Sequence, residues 1–424
     1  MNSLKDHVKI VSIRNSAFMR WIDKRLPVSN AYEKHMSQYF APKNFNFWYV
    51  FGLLAMVIFV NQILTGIWLT MSYVPSAEEA FNSVEYIMRD VEMGWLLRYM
   101  HSTGASFFFL TVYLHMFRGV LYGSYQKPRE LIWVFGMFVY LIMMAEGFMG
   151  YVLPWGQTSF WGAQVIISLF GAIPVIGDGL TEWIRGDFLI SGITLNRFFA
   201  LHVIALPLVL ALLVVLHVLA LHESGSNNPD GIDIKKHVDD KGVPLDAIPF
   251  HPYFTVGKLP QVVLFLIVFC AVIFFFPEGG GYFLEHPNFE PANALKTPEH
   301  IAPTWYYGAF YSILRAVDFN IFFIEAKLGG FIAMGGAIAI LFVLPWLDRS
   351  PVKSWRYKGW MSRLAIVLFA IAFAVLTYLG GQPVTPVNGV LAKIGTLIYF
   401  AFFLLMPWYT KWEKTKPVPE RVPE

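Results

Sequence analysis

Eight stretches of the chain are apolar for long enough to cross a bilayer. They occupy about 47–72, 96–121, 131–153, 195–221, 260–277, 328–347, 361–380 and 389–409. A hydrocarbon core of about 30 Å takes roughly 20 helical residues at about 1.5 Å each, so each run predicts one spanning helix. Two of the intervening segments are long. Residues 156–187 (GQTSFWGAQVIISLFGAIPVIGDGLTEWIRGD) are too polar and too rich in Gly and Pro to span, and their apolar part predicts short helices at the interface. The connection 278–327 is similar, and loops of this length usually carry function. The chain thus divides into a basic N-terminal segment 1–46, the first four spans with their interfacial helices 47–221, a polar loop 222–259 and a C-terminal part 260–424. Within the first segment, SIRNSAFMRWIDKRLPV predicts a short amphipathic helix on the membrane surface, and no cleavable signal peptide is evident.

Composition agrees. The chain has 424 residues, 56% hydrophobic and 14% charged, against about 25% charged in ordinary soluble chains. Its mean hydropathy is +0.52. The fold class is an all-α polytopic membrane protein. The net charge of +3 argues for no nucleic-acid partner, because the basic residues lie between spans and not along one face. The single cysteine, Cys270, sits in an apolar run. One thiol excludes an internal disulfide, a Cys-rich zinc site and an iron–sulfur cluster, and no Cys-x-x-Cys-His is present for covalent haem.

Lysine and arginine set the orientation. Eight fall in residues 1–46, and Arg349, Lys353, Arg356, Lys358 and Arg363 follow the sixth span. The loop after the first span carries Glu78, Glu79, Glu85, Asp90 and Glu92 against Arg89, and residues 278–327 are also acidic. Both termini are therefore expected inside, although the acidic loop 222–259 runs against this pattern. The second and fourth spans then both run from outside to inside.

Those two spans carry paired histidines. His101 and His115 are 14 residues apart in RYMHSTGASFFFLTVYLHMFRG; His202 and His217 are 15 apart in RFFALHVIALPLVLALLVVLHVLALH. Fourteen residues are about 21 Å and close to four turns, so each span presents two imidazoles at two depths. Ionisable groups in a membrane are costly and usually functional. Two imidazoles per site suit a haem iron that transfers electrons, whereas zinc would need further ligands. Arg98, Arg118 and Arg197 lie where haem propionates would emerge, though each also suits a snorkelling interfacial arginine. Gly52 and Gly66 in the first span, and Gly136 and Gly150 in the third, repeat the step of 14. Glycine lets a flat macrocycle approach the backbone, and equally lets helices pack. The first four spans are expected to form a four-helix bundle around two haems. A proton-relaying transporter and another di-haem membrane anchor, feeding a dehydrogenase or reductase, stay open on the histidines alone.

Longer motifs narrow this. QILTGIW, RYMHSTGASFFF, GFMGYVLPWGQTSFWGA, RFFALH, HESGSNNPDGI, IPFHPYF and PTWYYGAFYSILRA resemble the cytochrome b family of the quinol:cytochrome c oxidoreductase (bc1) complexes over essentially the whole chain. The resemblance implies two non-covalent b haems, an outer one on His101 and His202 and an inner one on His115 and His217. It implies a Q cycle: quinol is oxidised at an outer pocket, one electron leaves to a Rieske iron–sulfur protein and cytochrome c1, and the other crosses the membrane to reduce quinone at an inner pocket. The outer pocket would use Gly150, the VLPWGQ turn, Pro303, Thr304, Trp305, Tyr306 and Tyr311; the inner one His222 and Ser226. A homodimeric complex in membrane lipid is implied as well. A bacterial cytoplasmic membrane is expected, with the mitochondrial inner membrane as the alternative.

Three departures stand out. The family's Pro-Glu-Trp-Tyr reads PTWY here, and Thr304 cannot accept a proton as a carboxylate does. Glu146, four residues before Gly150 and on its helix face, is expected to supply that acceptor, or else to bond a neighbouring helix. The inner-site aspartate of many relatives is replaced by Lys258, which faces either the inner pocket or the surface. The step of 15 in the fourth span is expected to be absorbed by a kink or π-bulge near Pro207.

Overall fold

The computed structural model describes residues 16–320 and 322–423. The first fifteen residues of the basic N-terminal segment lie outside the described residues. From Ala17 to Asp23 the expected surface helix forms, capped by the Ser16 hydroxyl.

The helices that position the sites are α1 (Phe47–Thr70), α2 (Gly94–Tyr122), α3 (Glu130–Val152), α4 (Gln157–Phe170), α5 (Gly177–Arg185), α6 (Gly192–Ser224), α7 (Phe250–Phe275), α8 (Gly308–Ala316), α9 (Ala326–Phe342), α10 (Trp360–Gly380) and α11 (Pro386–Leu404). Among the described residues, seven are long and apolar enough to cross a membrane: α1, α2, α3, α6, α7, α10 and α11. The shorter α9 completes the eight expected spans. Its 17 residues cover only about 26 Å, and the turn Leu344–Leu347 extends it. Pro345 explains the break, because it has no N–H for the Leu341 carbonyl. The Trp133 indole donates to that carbonyl instead, at 2.7 Å.

Two further boundaries have local causes. A helical run begins at Leu259, where Pro260 suits a first turn, but the aromatic segment from Phe250 already coils before it. Hence α7 starts earlier than the expected 260. In α6 the segment Leu201–Ala205 is π-helical and contains His202. A π turn accommodates one extra residue, so 15 residues cover nearly the rotation of 14.

The α1/α2 and α3/α6 pairs pack closely and face each other as a four-helix bundle. The interfacial α4 and α5 lie against α3 and α6, over a cluster of Val152, Trp155, Phe160, Ile167 and Leu195. In the C-terminal half, α8 packs on α9, α10 and α11. Phe109, Tyr140, Ile313, Phe369 and Tyr399 join this half to the bundle in one core. A two-stranded pairing, β1 (Phe40–Pro42) with β2 (Ala247–Pro249), ties the N-terminal segment to the 222–259 loop.

Candidate haem centres and quinone pockets

The four histidines meet in two pairs. His101 and His202 have ring centroids 6.1 Å apart at 88°; His115 and His217 are 6.3 Å apart at 68°. An imidazole nitrogen bonds a transition metal at about 2.0–2.1 Å and lies about 1.1 Å from its ring centre, so two axial imidazoles put their centroids about 6.3 Å apart. Both pairs therefore fit one six-coordinate iron. Among the described residues no group of three or more His, Cys, Asp or Glu is placed to hold a metal ion.

The ring nitrogens are sorted by their neighbours. Nδ1 of His101 contacts the Thr65 hydroxyl at 2.9 Å, that of His202 the Glu146 carbonyl at 3.0 Å, and that of His217 the Ile132 carbonyl at 2.9 Å. An N–H fixed at Nδ1 leaves the Nε2 lone pair for metal. His115 is the exception: its Nδ1 faces the Arg118 guanidinium at 3.2 Å. The glycines serve the imidazoles. A Cβ on Gly52 would stand 3.0 Å from the His115 ring, on Gly66 3.2 Å from His101, and on Gly136 3.2 Å from His217; on Gly150 it would overlap His202. The expected approach of macrocycle to glycine is thus indirect, with a histidine ring against each one.

The three arginines differ. Arg118 is withdrawn from solvent, lies 4.7 Å over the Tyr49 ring, and its Nε has no partner among the described residues. Its terminal nitrogens reach the Ser124 hydroxyl and His115 Nδ1, each at 3.2 Å, which leaves the Nε–H free for a carboxylate such as a propionate. Arg98 lines a cavity of about 290 Å³ with Tyr99, Asn288 and Phe289. Arg197 instead donates to the Trp183 carbonyl at 2.7 Å and lies against Gly186, which anchors α5 to α6.

The outer pocket gathers around the PTWY turn. Tyr306 stacks on Phe109 with centroids 3.9 Å apart. The Trp305 indole donates to Ser106 at 3.0 Å, and the Tyr307 hydroxyl to the Met144 carbonyl at 2.7 Å. Thr304 is buried, with its hydroxyl within reach of Tyr306. Tyr311 turns to the Ile301 carbonyl of its own loop, at 3.4 Å. The 278–327 connection is strapped across α4: the Gln157 N–H donates to the Glu290 carbonyl at 3.0 Å, and the Asn288 amide oxygen accepts from the Ser159 N–H at 3.0 Å.

Glu146 does share the face of Gly150, but its carboxylate lies 3.1 Å from His202 Nδ1. Its other oxygen is buried without a partner among the described residues. A second carboxylate, Glu285, lies at the end of α3 and accepts from the Tyr151 hydroxyl at 2.7 Å. Residue order hides it, because Glu285 reads as one acid of an acidic loop.

On the other side, His222 stacks on Tyr39, centroids 4.3 Å apart, and its Nδ1 lies 3.2 Å from Nδ1 of His35. The Tyr39 and Ser226 hydroxyls are 3.4 Å apart. Lys258 is only 9% exposed, and its ammonium lies 5.4 Å over Phe254. Phe254 stacks on Phe250, which meets Tyr39 edge-on. Lys258 touches Phe254 and is separated from His222 and Ser226 by the rings of Phe254, Phe250 and Tyr39. His35 and Tyr39 add to the expected set; β1 brings them in, a pairing that three-residue strands hardly announce.

Two sequence families match, "Cytochrome b/b6/petB" over residues 36–225 and "Cytochrome b(C-terminal)/b6/petD" over 291–400. Cytochrome b of Allochromatium vinosum is 57% identical over 417 residues, 97% of this chain and 100% of the relative. Cytochrome b of Rickettsia bellii is 47% identical over 99% of this chain and 100% of its own length. A chain of the solved structure "Hyperthermophilic respiratory Complex III" superposes with TM-score 0.84 at 39% identity, covering 93% of this chain and 99% of that one. With two family matches across both halves and full-length relatives at this identity, the chain belongs to the cytochrome b family.

Proposed function

We infer that this chain is the cytochrome b subunit of a respiratory complex III, a quinol:cytochrome c oxidoreductase, and carries the electron transfer of its Q cycle. The observation that carries the reading is the pair of facing histidine couples, 6.1 and 6.3 Å apart, each ring seated on a glycine. His101 with His202, and His115 with His217, would hold two b haems. Arg118 and Arg98 would meet their propionates. Haem supplies one-electron redox chemistry between the two surfaces.

The protein's own share is to orient, exclude water and move protons. Phe109 and Tyr306 stack face to face in the apolar core at the PTWY turn, and the outer quinol pocket would form beside that turn. On the inner side, His222, Ser226 and Lys258, with His35 and Tyr39, would bind quinone and deliver protons to it. A single cysteine and no haem-attachment motif mean that the Rieske iron–sulfur centre and cytochrome c1 come from partners. The apolar outer face of α6, with Leu208, Leu212, Val215 and Leu219 exposed, suits lipid or a second copy of the complex. The lysine and arginine pattern supports both termini inside, and the bacterial relatives support a bacterial cytoplasmic membrane.

Haemochrome analysis of the purified complex tests this: two b haems per copy of this chain are expected, and one or none overturns the assignment. A second outcome concerns Gly150. Alanine there forces the His202 ring aside, an overpacking cost of about 1–3 kcal/mol. Haem at that site should be held about ten- to a hundredfold more weakly, read as loss of one haem on detergent washing while the other stays.

A further inference from the structure

We propose that Glu285 takes the proton-accepting place in the outer quinol pocket that Thr304 cannot fill. The inference rests on the quinol-oxidising reading above and deepens it. Four observations on different elements converge. Glu285 leaves the 278–327 connection and reaches the end of α3, where the Tyr151 hydroxyl donates to it at 2.7 Å. Tyr151 directly follows Gly150, the glycine under His202. Phe283, two residues before Glu285, packs against the same apolar core as Tyr306 of the PTWY turn. Two buried hydroxyls border the same tyrosines, Thr158 within hydrogen-bonding reach of Tyr151 and Thr304 within reach of Tyr306.

The chemistry fits a base that cycles near neutrality. Burial pushes the Glu285 carboxyl up to about 7, even with the Tyr151 hydroxyl pulling the other way. An acceptor works best with a pKa near the working pH. The groups facing it are Tyr151 from α3 and Tyr306 from the PTWY turn, with His286 next to it on its own loop; no Lys or Arg is among the groups that shift it. In the step, a quinol O–H bond breaks and the carboxyl O–H of Glu285 forms. Full oxidation of the quinol releases two protons and two electrons, and the electrons pass singly to the one-electron acceptors of the complex. Glu146 lies within the spanning α3 with its carboxylate against His202, whereas Glu285 is bonded to Tyr151 from the connecting loop.

The test uses the assembled complex with a short-chain ubiquinol, comparing the wild type with Glu285→Gln and Tyr151→Phe. The wild-type rate should rise with pH through about 7, as the carboxylate form is populated. Glu285→Gln should keep both haem spectra, lose about 10²-fold in rate and lose that rise. It should also lose a carboxylic C=O band from the infrared difference spectrum of quinol oxidation. Tyr151→Phe removes a donor that favours the charged form, so its rise should move to higher pH. That variant decides the matter if Glu285→Gln fails to assemble. An unchanged pH profile in either variant, or a C=O band that survives Glu285→Gln, overturns the role of Glu285. A wild-type complex that contains b haem but oxidises no quinol overturns the underlying functional reading instead.

Discussion

Replacing His217 by leucine should leave the complex with one b haem per copy of this chain and no sustained turnover. His217 is the α6 member of the inner couple, seated on Gly136 and bonded through Nδ1 to the Ile132 carbonyl. Leucine fills a similar volume, so the fold loses little more than one hydrogen bond, about 1 kcal/mol. The inner site loses one of two ligands, and among the described residues His115 pairs with no imidazole besides His217. The outer couple lies about 21 Å away along the helices and shares no ligand with it. The expected result is therefore selective. Half of the haem absorbance disappears, one of two midpoint potentials vanishes from a redox titration, and quinone reduction at the inner pocket stops. A first oxidation of quinol at the outer pocket should still be seen in a single-turnover experiment. Retention of two haems with unchanged potentials would refute the assignment of His217. Loss of both would mean that the sites are not separate.

How much of this was legible beforehand depends on the range of the interaction. Spans and histidine couples depend on periodicity within one helix, and they emerge from residue order. The π turn at Leu201–Ala205 was legible for the same reason, since a spacing of 15 opposite one of 14 demands one extra residue somewhere. The break in α9 is local too, set by Pro345, but the indole that satisfies the freed carbonyl comes from Trp133, 208 residues earlier. Side-chain choices were less legible. The i, i+4 rule puts Glu146 on the face of Gly150 and cannot say whether its carboxylate takes the histidine or the quinol space. Glu285 meets Tyr151 across 134 residues, from a connection built of short 3-10 turns that carry no periodic signal. His35 reaches His222 only because β1 pairs with β2.

The same limit applies to the buried ion pair behind the second large effect, expected for Lys358→Met. Lys358 and Asp348 count simply as inner-side charges in the sequence. In the fold they meet at 2.5 Å with side chains 3% and 0% exposed. Tyr125 and Gln126, just past the end of α2, donate to the same carboxylate oxygen at 2.7 and 2.8 Å. The Ser350 N–H donates to the other at 3.0 Å. This junction fastens the four-helix bundle to the C-terminal half. Removing the lysine leaves a buried carboxylate without its counter-charge, a loss of about 3–5 kcal/mol. Burial alone would raise the Asp348 carboxyl; the Lys358 charge and hydrogen bond, with the Tyr125 hydroxyl, outweigh it and hold the group below its usual 3.8. In the wild type this contribution is present above that value and is lost as pH falls through the lowered one. In Lys358→Met the sign reverses. With the counter-charge gone, burial favours the protonated acid, so the deficit is largest at neutral pH and shrinks as pH falls toward 5. Thermal denaturation of the detergent-solubilised complex at the two pH values would show the gap narrowing. A gap that is constant with pH would mean that the damage is a packing defect and that the charge of Asp348 is not what Lys358 compensates.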